Sequence, residues 1–591
     1  MKGFPRFTLR LLASLAWSAG FVLTPMPAAA QDPGDLHTFT SADGKTLEAE
    51  ILDFRDAKVV IRRLTDGQTF ELPANRLSPS DVDFMRGWLK AREDAAHPAG
   101  WKRLRIHLPS FADSASATAI PEAFQRKDLT TWEAELPEGA WVTVTLWPSS
   151  ENTEAPAEFL LPYAGEREWW LALDGARLLR KTSPSDPGTL VGLHVQPGDD
   201  EAALRALKSQ APEGGLALFS DFLDAADLGA LGVGGVASFV VDKIKDFDLV
   251  AKSRVRAIRV TGSVESLDGL PSCRDLESLE FRISGAYPLA VVGKLDKLTA
   301  LATTGDVTLG SASGDGTWPA LRFLSLANSE IEDPEGLGDF LSALPKLQSL
   351  SLPDLQEMDV SGLAKCPELT VISLGDECHD PGAAGVGTLS RLSIALLNAK
   401  YGADEIAGLV SSGRLGKVRI FRTGPSVDFA QLPQLRRLSM LGDQDAFEMA
   451  SLKGIGRPFS LEATSLTEAD LAALASVAGD LPITSLSLKF PNLATLDPLP
   501  ALPQLAFLRL ENQLVTFDQK ITSLELSEKF PALKGVELSR LQNLETVTSG
   551  GPEALEEVFI HACDALTKVA LPSGGKAHLK AVNCPKLKPG A

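Results

Sequence analysis

After its first thirty residues the chain has no apolar run approaching the ~18 residues that a membrane-spanning helix needs, which argues against a membrane-embedded protein. Its five cysteines are an odd number, so at least one thiol stays unpaired and a complete disulfide framework is excluded. None of the eight asparagines stands in an Asn-x-Ser/Thr sequon, which favours a bacterial over a eukaryotic secreted protein. Cations are scarce: 57 Lys and Arg face 77 Asp and Glu, for a net charge of −20. Non-specific nucleic-acid binding needs phosphate neutralisation by basic side chains, so that partner class is not expected.

Local signatures of catalysis are also missing. The chain has no His-Glu-x-x-His, Cys-x-x-Cys, phosphate-binding loop or Gly-x-Ser-x-Gly. The nearest approach, Gly310-Ser311-Ala312-Ser313-Gly314, has Ala where a nucleophile would stand and reads as a loop. Gly232, Gly234 and Gly235 precede an apolar strand instead of opening a helix after one, which rules out a dinucleotide fingerprint. Seven histidines are scattered without an i, i+4 ligand pair; His379 beside Asp376, Cys378 and Asp380 reads as a solvated turn rather than a metal site. These absences favour binding over catalysis, with no cofactor and no metal expected.

What is present begins at the N-terminus. Lys2, Arg6 and Arg10 precede the apolar run Leu11 to Leu23, and Ala28-Ala29-Ala30 offers small residues for cleavage. This is the layout of a secretory signal peptide over residues 1–30, cleaved after Ala30. No cysteine follows the cleavage site to carry a lipid, so the mature chain is expected in the periplasm or outside the cell, without membrane insertion. Loss of three leader cations would take its charge to −23.

From about residue 213 onward a spacing L-x-x-L-x-L returns every twenty to twenty-eight residues, as in Leu321, Leu324, Leu326 and in Leu347, Leu350, Leu352. Further copies are Leu369, Ile372, Leu374 and Leu505, Leu508, Leu510, about sixteen in all. The x-L-x-L part alternates like a strand, and apolar residues after it, such as Leu541, Leu544 and Val547, turn the chain back beneath it. One such unit cannot bury its core, whereas a stack of them can. The pattern and period resemble the leucine-rich repeat family, and the resemblance implies a solenoid with a parallel sheet on its concave face and a non-enzymatic binding role.

Ahead of the repeats lie two further segments. Residues 37–90 carry Phe39-Thr40, Asp43-Gly44-Lys45, Ala49-Glu50, Val59-Val60-Ile61, Asp66-Gly67, Leu72-Pro73 and Leu77-Ser78 with Asp81, which reads as short strands joined by tight turns. Ser78-Pro79-Ser80-Asp81 then caps a closing helix to Trp88. This segment resembles the Sla1 homology domain 1, and the resemblance implies a small SH3-like barrel and a peptide-sized binding module, with no binding residue carried over. Residues 98–197 hold Trp101, Trp132, Trp141, Trp147, Trp169 and Trp170 in alternating runs, predicting a small antiparallel β domain. Its exposed rings would suit a glycan, the alternative ligand class. A helix over Asp199–Ser209 is expected to cap a solenoid that fills 199–591.

The expected fold is therefore an α/β leucine-rich repeat solenoid preceded by an SH3-like barrel and an antiparallel β domain. Cys563 and Cys584 sit at one offset, three residues after Ile560 and Ala581, and read as core residues, while Cys366 with Cys378 is the pair best placed for a bridge. On the concave face, Ser325, Ser351, Ser373, Ser393, Ser439 and Ser487 form a small-residue column. The neighbouring column carries Arg391, Lys417 and Arg437, with Arg419, Arg422 and Arg436 close by. Like charges on strands ~4.8 Å apart repel by roughly 1 kcal/mol even in water. Such a cluster calls for neutralisation, either by the acidic segment of a protein or peptide partner or by internal Asp and Glu.

Overall fold

The computed structural model describes residues 36–588, apart from 91–99, 148–155, 225–235, 310–317, 354–362, 376–388, 398–409, 422–427, 442–448, 490–498, 513–519 and stretches of up to five residues elsewhere. The leader, the Gly310 and Gly232 loops, the two Asp-Gly turns, the His379 cluster, Cys378 and Arg422 lie outside the described residues. Two units result, residues 1–95 and 96–591.

In the first unit, alternation does what the sequence predicts. β1 (Leu36–Thr40), β2 (Thr46–Arg55), β3 (Lys58–Arg63) and β4 (Thr69–Pro73) form one antiparallel sheet in chain order. Alternate described residues point inward, so Phe39, Ala49, Ile51, Val59 and Ile61 make a core closed by Leu77 and Met85.

The second unit opens with nine short strands. They are β5 (Trp101–His107), β6 (Ser114–Ala117), β7 (Phe124–Arg126), β8 (Thr131–Pro137), β9 (Trp141–Leu146), β10 (Ala157–Pro162), β11 (Glu168–Asp174), β12 (Leu178–Ser183) and β13 (Asp186–His194). β6, β9 and β10 form a separate three-stranded sheet. The others join edge to edge in the order β7–β8–β5–β11–β12–β13, antiparallel except where β5 meets β11. β13 then pairs in parallel with Ala217–Asp224, so one sheet continues from this segment into the repeats.

From there the strands Ser238–Ile244, Ala257–Val264, Ser278–Arg282 and their successors follow in parallel to His578–Val582. The second and third apolar positions of the central repeats are buried: Leu324 and Leu326, Leu350 and Leu352, Ile372 and Leu374 all belong to one continuous core. Leu541, Leu544 and Val547 lie in that core as well, on the return path, where Thr546–Ser549 pairs with Ser523–Leu526 and Lys568–Ala570 in a second parallel sheet. Among the described residues, return segments are 3-10 turns such as Leu270–Ser272, short helices such as Leu337–Ser342, or strands of the second sheet, so the solenoid is strand-rich rather than evenly α/β. The helix expected over Asp199–Ser209 falls largely outside the described residues; β11 to β13 cover the sheet edge there.

One repeat departs from the expected register. The sequence allows Leu389-x-x-Leu392-x-Ile394, but the strand is Ile394–Leu397, with Ala395 and Leu397 inward and Ile394 paired to Lys417. Leu392 takes the first apolar position, since its N–H closes the same turn onto Leu389 that Leu369 closes onto Cys366. The small Ala395 in the second position had hidden this frame. Arg391 and Ser393 consequently precede the strand and leave the two columns assigned to them.

Candidate functional site on the concave face

Two columns of side chains point away from the repeat core. In register, one runs Ala257, Ser278, Ala300, Phe323, Ser349, Val371, Ile394, Lys417, Arg437, Ser460. The other runs Ser325, Ser351, Ser373, Leu396, Arg419, Ser439, Glu462 over the later strands. Apolar groups at solvent-facing positions need a cover, and they have one. Ala257, Ala300, Phe323, Val371, Ile394 and Leu396 share a single core with Trp101, Leu104, Leu136, Trp141, Phe159 and Trp169 of the β segment. Among the described residues, side chains between Trp101 and Trp169 cover this part of the concave face.

Polar contacts follow the same path. Ser238 donates to the Leu160 carbonyl, Arg259 pairs with Glu158 at 3.1 Å, and Arg322 donates to the Glu138 carbonyl at 3.0 Å. Further along, Ser349 Oγ donates to the Ala119 carbonyl at 2.8 Å and Lys417 Nζ to the Ala123 carbonyl at 3.3 Å. Gln125 Nε2 donates to Ser460 Oγ at 2.6 Å, and Arg126 pairs with Glu537 at 2.9 Å. Residues 119–126 thus lie as a polypeptide across successive strands, held by backbone carbonyls and by side chains. Ala119 and Glu122 adopt positive φ (57° and 48°), the turn that lets the segment follow the sheet.

The cationic cluster sits beneath this segment. Arg419 is ion-paired with Glu122, and Arg436 makes a two-pronged contact with Glu135, one prong of 2.9 Å. Arg437 lies 2.5 Å from Glu462 and 3.7 Å from Glu122. Lys489 reaches the other oxygen of Glu462 at 2.5 Å. Burial opposes ionisation of Glu462, but Arg437 and Lys489 outweigh it and bring its carboxyl down to about 2. Lys417 is almost wholly enclosed; burial brings its ammonium down to about 8, Glu135 opposes that, and Arg436 and Arg437 add to it. Arg391 stands apart in its turn, half-exposed and 3.4 Å from Glu368.

Of the six cations expected on this face, Lys417, Arg419, Arg436 and Arg437 are therefore brought together, and each is met by acidic or carbonyl oxygens of the same chain. The sequence reading missed Glu122 and Glu135. A signal for them existed in Val371, Ile394 and Leu396, apolar residues at positions that a bare concave face would leave in water.

Elsewhere the β segment offers exposed aromatics. Trp169 is buried, whereas Trp170 is 41% exposed and stacks on His107 at 3.6 Å, with Glu168 2.8 Å from the His107 ring. Trp147 is 45% exposed. Among the described residues no group of three His, Cys, Asp or Glu is arranged to hold a metal ion, and no helix is long and apolar enough to cross a membrane.

No family model matches the chain, and no curated protein matches it. Among solved structures it is similar to an internalin from Listeria monocytogenes, at 16% identity and a TM-score of 0.31 over 56% of this chain and 88% of that one. It is also similar to the Toll–Spatzle complex of Drosophila (12% identity, TM-score 0.27, 72% of this chain and 66% of that one). A circular leucine-rich repeat protein matches at 11% identity and a TM-score of 0.26, over 62% of this chain and 54% of that one.

Proposed function

We propose that this is a secreted, non-enzymatic interaction protein whose concave face recognises a protein or peptide with an acidic side chain, and that residues 117–126 hold that face in the absence of a partner. The observation that supports this is the way the face already binds a polypeptide. Ser349 and Lys417 take the carbonyls of Ala119 and Ala123, while Arg419 and Arg437 flank the carboxylate of Glu122 between them. Backbone capture plus one charged anchor holds a segment that turns at Ala119 and Glu122. A partner reaches the cations by replacing Glu122.

The experiment compares the full chain with its Glu122→Lys variant, using a labelled peptide of residues 117–126. Like charge beside Arg419 and Arg437 should loosen the covering segment, so the variant binds the peptide in a salt-dependent way and the parent does not. If the variant binds a Glu-to-Gln form of the peptide as well as the original, the carboxylate is not the anchor and the reading fails.

A second reading, glycan binding, is favoured by Trp170 alone, whose open face and neighbouring Glu168 and His107 form a small stacking platform. Titration with soluble oligosaccharides should then quench tryptophan fluorescence, and Trp170→Ala should remove the effect. No quenching across a polysaccharide panel would dismiss it.

A further inference from the structure

Two cysteines, Cys563 in the repeat core and Cys584 packed against it, sit at matched positions of neighbouring repeats. Ile560 and Ala581 are register partners on adjacent parallel strands, and Cys563 and Cys584 each follow three residues later. Their approaches are alike: Ala562 and Asn583 both take positive φ (50° and 54°), and Ala562 N–H donates to the Val582 carbonyl at 3.0 Å. Adjacent rungs ~4.8 Å apart put the two Cα atoms within the range that a disulfide spans. Cys584 Sγ lies 4.0 Å from the Ile560 carbonyl in the preceding rung and 3.4 Å from the Val582 carbonyl of its own, and Cys563 Sγ lies 3.5 Å from the His561 carbonyl.

The two thiols are not equivalent. Cys563 is fully buried, while Cys584 is partly open to solvent. The neighbouring Cys563 holds the Cys584 thiol below its usual range, and Cys584 together with burial pushes Cys563 up. Cys273 and Cys366, by contrast, are enclosed thiols that burial pushes up to about 12 and about 11. The rung they would fasten has an open flank: among the described residues His578–Val582 pairs with Glu557–His561, and Leu579 upon it is 36% exposed.

We propose that Cys563 and Cys584 are a reversible disulfide site that pins the last repeat to its neighbour in an oxidising environment. Cys584 is the attacking thiolate. It displaces one sulfur of a disulfide oxidant such as oxidised glutathione, forming a mixed disulfide and releasing one thiol. Cys563 then gives up its proton and attacks the Cys584 sulfur, the protein S–S bond forms, and the second oxidant thiol leaves. Two cysteine thiols lose two protons and two electrons, and the oxidant disulfide becomes two thiols.

The test incubates the full chain with oxidised or reduced glutathione, blocks free thiols with an alkylating agent, and maps tryptic peptides without reduction. Oxidation should link the peptide 541–568 to the peptide 581–586, while Cys273 and Cys366 stay unmodified in the folded chain. Hydrogen exchange across His578–Val582 should slow by about tenfold on oxidation in the parent and not at all in Cys563→Ala. Full alkylation of both cysteines after oxidation, or recovery of Cys584 only as its glutathione adduct, would overturn the proposal. Because the peptide map is read on the parent chain, it holds even if a cysteine variant fails to fold.

Discussion

Arg126 and Glu537 stand 411 positions apart in sequence and 2.9 Å apart in space, joined in an ion pair from which water is nearly excluded. The first belongs to the segment that covers the concave face and the second to a strand of that face, so the pair ties the two ends of the second unit together. Arg509, 3.5 Å from Glu537, shares the same carboxylate. Replacing Glu537 by Ala removes the carboxylate that Arg126 and Arg509 share, leaving Arg126 the Asp128 carbonyl and Arg509 the Glu511 carboxylate. Loss of one partner from a buried pair costs about 3–5 kcal/mol. Urea unfolding of the variant should show that loss, whereas a change below about 0.5 kcal/mol would mean that the seam is solvated.

Lys417 should behave in the opposite sense. Its ammonium is buried against one carbonyl, and its folded-state pKa of about 8 lies below the usual 10.5. Between those values the unfolded chain holds the proton more tightly, so raising the pH through that window stabilises the folded state. Lys417→Met removes the buried charge and should be neutral or stabilising by about 1–4 kcal/mol near pH 7. The gap between variant and parent should shrink as pH rises from 8 towards 10.5. A widening gap would contradict the burial of Lys417.

Glu462 predicts an acid limb. Its carboxyl sits near 2, below the usual 4.5, because Arg437 and Lys489 hold it ionised despite burial. Its contribution is complete above about pH 4.5 and is lost as pH falls towards 2. Glu462→Gln should be less stable than the parent at neutral pH, and the two should converge on acidification. Parallel pH profiles for the two proteins would remove Glu462 from the account.

Within the repeats, Leu350 is fully buried at the second apolar position. Leu350→Ala should cost about 2–5 kcal/mol through lost transfer energy and the cavity left behind. An unchanged denaturation midpoint would show that the register assigned to this repeat is wrong.

The repeats were legible because burial imposes one rule at every rung: Leu324, Leu350 and Ile372 recur at matched spacing since each must close the same core. Arg391 shows the limit of that rule. Leu389, Leu392 and Ile394 satisfy the pattern as well as Leu392, Ala395 and Leu397 do, and only pairing with Lys417 on the next strand separates the frames. The cationic cluster was visible as Lys417, Arg419, Arg436 and Arg437, and the need for neutralising groups followed from their charge. Their identity did not, because Glu122 and Glu135 lie some 300 positions earlier in sequence and reach the face only through the fold of β5 to β10.

The central claim, that the chain covers its own concave face, is tested most directly at Leu396. This side chain points away from the repeat core, where a bare face would leave it in water, yet it is 4% exposed beneath the β segment. The measurement is the alkylation rate of the thiol in Leu396→Cys, followed by mass spectrometry on the folded full chain. The account predicts a thiol protected until the protein is denatured. Labelling of the native protein at the rate of a solvent-exposed cysteine would show that the face is open.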